Sequence, residues 1–140
     1  MKYIIYHSTA SIYFRAEMLG EMMRDFKKNN FEHGITGLLI YSEGSFLQLI
    51  EGDEKPIDRL MKLIQKDKIH HSLIILAQAK TELRIFPAWS MGYEAVSQEQ
   101  FAGVRQLLQQ SSNALGFADQ SHPVLNYIKS FAADPLKIYK

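Results

Sequence analysis

A chain of 140 residues can bury one substantial core and gives no cause to expect a second globular domain. Sixteen basic against fifteen acidic side chains leave a formal charge of +1, so no overall field draws the protein to nucleic acid or to a membrane surface. With no cysteine, disulfides, thiolate metal sites and a thiol nucleophile are excluded together.

The opening "MKYIIYHSTAS" has too short an apolar run for a secretory signal, and no stretch nears membrane-span length, so a cytoplasmic protein is expected. Alternation over residues 2–7 suits a first strand. Phe14, Met18, Leu19, Met22, Met23 and Phe26 recur at helical spacing and predict a helix over about 14–28, ended by "NNFEHG". Gly34 and Gly37 flank "GITGLLIY", which turns at "SEG" into "SFLQLIEG", a β-hairpin over 35–50. Asp53 is a candidate cap for a second helix, with Pro56 in its first turn and a stripe of Ile57, Leu60, Met61 and Ile64. "SLIILAQA" and "FPAWSMGYEAV" predict the last two strands.

The order is then βαββαββ, an α+β chain whose first six elements match a ferredoxin-like sheet with two helices on one face. After Val96 the composition shifts toward Gln, Ser and Ala. Ser97 and Gln100 have capping-box spacing before "FAGVRQLL", and Pro123 precedes "VLNYIKSF". Residues 1–96 therefore read as the domain and 97–140 as a two-helix C-terminal extension.

Gln48 sets the functional question. In strand "SFLQLIEG" Phe46, Gln48 and Ile50 share one face and Leu47 and Leu49 the other, so a carboxamide stands within a strand apolar on both sides. Burying it unpaired costs roughly 1–3 kcal/mol, so a polar partner must meet it: a protein group, a water or a ligand with a mixed donor and acceptor edge. The slot between the two helices is the natural ligand place on this fold. Taken alone, Tyr6 fits a core tyrosine, Asn29 and Asn30 a helix stop, Trp89 a core aromatic, and the methionine stripe ordinary packing. Adjacent His70 and His71 would point to opposite faces of a strand, which argues against a metal site.

Four segments in register, "Y-x-S" from Tyr6, "NNFEHGITGLLIYSEGSFLQLIEG" from Asn29, "DKIHHS" from Asp67 and "FPAWSMG" from Phe86, resemble the BLUF family of blue-light sensors that use flavin. The resemblance spans residues 2–96. It implies a flavin, FAD with FMN or riboflavin as alternatives, held between the helices with Gln48 bonded to its edge and to Tyr6. Asn30 is implied to bind the polar edge of its pyrimidine ring with Asn29 beside it toward the ribityl side, Met22, Phe46 and Ile64 to form apolar walls, and Asp67 and His70 to lie near the ribityl chain. The implied mechanism is electron loss by Tyr6, proton movement through Gln48 and a rotated or tautomerised amide, which gives a small red shift. Trp89 and Met91, on one face of the last strand, match the segment that carries the signal onward.

The extension resembles that of short BLUF proteins that act alone, form homo-oligomers and transmit to a separate protein, so no enzymatic activity is expected. Two positions depart from the family pattern. His7 stands where a small residue is frequent, and Ile69 where arginine is frequent, which removes a cation near the ribityl and phosphate side; Arg84, Lys62 and Lys66 are candidate substitutes. The alternatives are a light-insensitive or flavin-free interaction module and an acylphosphatase-like hydrolase. The hydrolase needs an anion-cradling loop with arginine after the first strand, where only a distant Arg15 is found.

Overall fold

The computed structural model describes residues 1–86 and 91–110. The alternating N-terminal segment forms strand β1, Lys2–Ala10, followed by helix α1, Ala16–Glu32. The hairpin is β2, Thr36–Ser42, and β3, Ser45–Gly52. Its two-residue loop has positive φ at both Glu43 (33°) and Gly44 (87°), the turn whose twist suits paired strands. Gly37 is required where the two strands nearly touch, because a Cβ there would lie 1.9 Å from the Leu49 carbonyl oxygen. Helix α2, Glu54–Lys66, then leads to β4, His70–Lys80, and β5, Gly92–Ala95, precedes helix α3, Gln98–Gln110.

The sheet order is β4-β1-β3-β2-β5. Pairing is antiparallel among the first four strands, as in the ferredoxin-like arrangement, and β5 adds to the edge parallel to β2. Helices α1 and α2 cover one face, where Leu19, Met23, Ile57 and Met61 pack against Ile4, Leu39, Phe46 and Ile50. The other face carries Tyr3, Ile5, Leu38, Ile40, Leu47 and Leu49, buried against Ile85 and Phe86 and against Phe101 and Val104 of α3. Every residue of β3 from Phe46 on is buried, as expected of a strand covered on both sides. Helix α3 thus forms the third layer of the molecule.

Several local expectations need correction. Helix α1 continues to Glu32, so Asn29 and Asn30 belong to its last turn and do not stop it. It begins after Phe14, which is buried from the preceding loop. Asp53 occupies the cap position of α2 without a side-chain capping bond. Of the strand expected over 86–96, the ladder described is Gly92–Ala95; Phe86 is not part of it, its N–H and that of Ile85 going to a carboxylate, and residues 87–90 lie outside the described residues. The capping box holds: Ser97 Oγ accepts from Gln100 N at 3.1 Å while Ser97 N donates to Gln100 Oε1 at 3.1 Å. The expected second tail helix lies outside the described residues, among which no helix is long and apolar enough to cross a membrane.

Candidate functional site

The register of β1 on β3 places Tyr6 directly opposite Gln48, so both side chains rise from the same face toward the helices. β1 shifts register against β4 between Ile5 and Tyr6 and again between His7 and Thr9. These irregularities bracket Tyr6, and bulges of this kind re-aim side chains near sites.

The Tyr6 hydroxyl donates to Gln48 Oε1. That bond fixes the orientation of the amide, whose Nε2 donates to Met91 Sδ at 3.3 Å. The polar partner demanded by Gln48 is therefore first a protein group on each side. Met91 makes the contact from the residue before β5, while Trp89 lies outside the described residues. Burial pushes the Tyr6 phenol far above its usual pKa, and the negative charge of Asp67 adds to the effect.

Between α1 and α2, above this pair, lies a cleft of about 150 Å³ that is partly open to solvent. Tyr6, Met22, Asn29, Asn30, Phe46, Gln48, Ile64, Asp67 and His70 all line it. The structure thus brings together the cofactor-binding candidates named from the sequence. Phe26, Leu39, Leu60, Leu63 and Ile69 complete the walls. Phe26 and Leu60 stood in the helical stripes, but their spacing alone did not separate cleft walls from core.

Asn30 is only 3% exposed, and among the described residues its side-chain amide forms no hydrogen bond with the protein. A carboxamide that opens into a cleft with apolar walls fits a flat heteroaromatic ring with a polar edge, which can take the place of the water that its donors and acceptor otherwise meet there. A flavin therefore fits the residues present.

His70 lines the cleft and makes bonds that the sequence did not announce. Its Nε2 lies 2.6 Å from the Ile64 carbonyl oxygen, an acceptor only, so Nε2 carries the proton. In the neutral ring Nδ1 then accepts from Ser8 Oγ at 2.6 Å. The two bonds hold the end of α2 to β1, and Ser8 is wholly buried, so its hydroxyl is not presented to solvent. The ring meets Tyr6 and Phe46 edge-on, at centroid distances of 6.1 and 6.4 Å. His71, its neighbour, is exposed on the strand's other side.

The candidate replacements for the cation missing at Ile69 are elsewhere. Arg84 is engaged with Gly34 and Thr36, and Lys62 and Lys66 are exposed and do not line the cleft. Asp67 is the only Asp, Glu, Lys or Arg among the described lining residues. His7 faces away from Tyr6 and meets Phe101 of α3 edge-on at 5.7 Å, as its alternation on β1 requires.

A family model for sensors of blue light using FAD matches residues 1–92. The beta subunit of the photoactivated adenylate cyclase of Euglena longa is 36% identical over 75 residues, which are 54% of this chain and 9% of that protein. The alpha subunit from Euglena gracilis is 34% identical over 76 residues, 54% of this chain and 8% of that protein. The chain thus spans about a tenth of the length of the curated relatives it matches. Among solved structures, BlrB, a BLUF protein in its dark state, is 26% identical with a TM-score of 0.67, covering 89% of this chain and 93% of that one. A bacterial light-regulated adenylyl cyclase is 30% identical with a TM-score of 0.63, covering 90% of this chain and 35% of that one.

Proposed function

The chain belongs to the BLUF family of blue-light sensors, and on that premise we propose that Tyr6 and Gln48 are its light-responsive pair and that the changed pair signals through protein contacts. The observation that carries this reading is the chain of bonds from Tyr6 through Gln48 to Met91 at the base of the cleft.

A bound flavin supplies absorption of blue light and the oxidising power of its excited state. Loss of an electron from the Tyr6 ring would make its phenol strongly acidic and leave a positive charge in a buried place, so the proton would leave with the electron, and Gln48 Oε1 is the acceptor in place. Gln48 is suited to switching because its amide can exchange donor and acceptor. The protein favours one orientation: turning the amide over would place its NH₂ against the Tyr6 oxygen and its carbonyl against the Met91 sulfur, which offers no proton. The reversed or tautomeric form is therefore sustained by a different bond to the ligand edge, and it relaxes when that advantage ends.

FAD is the form in the family description. The absence of Lys and Arg from the described lining supports a site that grips the ring and accepts FMN or riboflavin as well. Output is assigned to the segment around Met91 and to α3, acting on a second copy of the chain or on a separate protein. The cleft's polar groups are amides, a phenol, a carboxylate and an imidazole whose serine partner is wholly buried, which supports a sensor without its own catalytic step. Residues 1–96 are taken as the sensing domain and 97–140 as its extension.

The test is Gln48→Leu in the flavin-loaded protein. It retains flavin, because Asn30 and the apolar walls remain, and it loses the light-induced red shift. A normal shift in this variant would overturn the assignment of Gln48.

A further inference from the structure

Glu51 is completely buried on the face of β3 opposite Gln48, and nothing in the cleft uses it. Both its oxygens are occupied. Oε1 accepts from the backbone N–H of Ile85 at 2.6 Å, and Oε2 accepts from the N–H of Phe86 at 2.7 Å and from Thr36 Oγ1 at 3.0 Å. Arg84 binds the same corner: its Nη1 donates to Thr36 Oγ1 at 3.0 Å and Nη2 to the Gly34 carbonyl at 2.7 Å. Donation therefore runs from Arg84 through the Thr36 hydroxyl into the carboxylate, a chain in which each bond polarises the next.

Burying a carboxylate is a poor route to stability alone, because desolvation cancels much of what its bonds return. Its gain is geometric: two successive N–H groups on two oxygens of one carboxylate fix both the position and the direction of the chain at residues 85 and 86. Met91, which takes the Gln48 proton donor, comes only five positions after Phe86.

We propose that Glu51 is a positioning residue of the light response, fixing the chain at 84–86 so that Met91 is presented to Gln48 and the switched state has a defined lifetime. This role rests on the photoswitch reading and adds the anchor against which the switch works. The clamp lies across the sheet from the cleft, so altering it leaves the flavin-binding groups in place.

The experiment uses the full flavin-loaded chain and two variants. Glu51→Gln keeps the shape but sets an NH₂ where one backbone N–H or the Thr36 hydroxyl needs an acceptor; Thr36→Val removes the hydroxyl between Arg84 and the carboxylate. Both are expected to bind flavin and to show the unmodified red shift. Their dark recovery should change at least about fivefold, and the light-induced change in emission of Trp89, the only tryptophan, should fall by half or more. Recovery and emission within twofold of the unmodified chain, with only the melting temperature lowered, would make the clamp purely structural and overturn the proposal. If Glu51→Gln does not fold, Thr36→Val decides alone by the same readouts. A chain whose unmodified form binds flavin but gives no red shift would overturn the photoswitch reading itself, and this role with it.

Discussion

The bond between Tyr6 and Gln48 can be measured as a coupling energy. Gln48→Leu leaves the Tyr6 hydroxyl, on a residue 4% exposed, without its acceptor, and Tyr6→Phe leaves Gln48 Oε1 without its donor. Orphaning a buried polar group costs about 1–3 kcal/mol. Because both groups border an open cleft that water can enter, each single change should cost near the lower end of that range. The double variant removes donor and acceptor together, so its cost falls below the sum of the singles by roughly 1 kcal/mol. Urea unfolding in the dark provides the assay, with free flavin held well above the dissociation constant of every variant and the binding contribution subtracted from measured affinities. The opposing outcome is additivity within about 0.3 kcal/mol, which would mean that the two side chains do not share a bond worth counting.

The same geometry sets other measurable quantities. The Tyr6 proton is held above its usual range by burial and then by Asp67, so the folded protein keeps it where the unfolded chain releases it. The unfolded state then binds fewer protons, and stability should fall above about pH 10 by up to ~1.4 kcal/mol per pH unit from this group. Tyr3, also raised by burial, adds a slope of the same sign, so denaturation at pH 9–11 should show the fall in stability and Tyr6→Phe should reduce it without abolishing it. Gly37→Ala should destabilise the hairpin by about 3 kcal/mol, since its methyl would collide with backbone that cannot yield cheaply; a midpoint equal to that of the unmodified protein would contradict the close approach of β2 and β3. Riboflavin, FMN and FAD should bind the refolded protein within about tenfold of one another, because a tenfold preference needs only ~1.4 kcal/mol and no Lys or Arg among the described lining residues supplies it to a phosphate; titration by flavin fluorescence quenching checks this.

Much of this site was legible because it depends on short-range rules. Alternation placed Phe46, Gln48 and Ile50 on one face, and a glycine-containing turn returned that strand along its neighbour, so the hairpin and the odd position of Gln48 could be read together. The family's motif positions then named residues that the fold does bring to one cleft. What escaped were features set by tertiary partners. Asn29 and Asn30 look like a helix stop, yet α1 runs past them, and their place in its last turn is what lets Asn30 meet the cleft. "FPAWSMGYEAV" has strand composition, but Glu51 takes the N–H of Phe86, at its start, and that of Ile85 before it, a partner that strand composition does not announce. Arg84 was a plausible cation for a ligand until its bonds to Gly34 and Thr36 placed it away from the cleft. Glu51 itself was quoted within a motif without a role, because a carboxylate at a strand end gives no sequence signal of three donors converging on it.

The most direct test of the account is the visible absorption spectrum of the purified, flavin-loaded protein in darkness, repeated immediately after blue illumination and through its recovery. The flavin spectrum is expected to move slightly to the red and to return in the dark, with the Tyr6 and Gln48 network altered and restored. A bound flavin whose spectrum stays unmoved by light would contradict it, and would leave the chain as a member of the family whose cleft holds the pigment without switching.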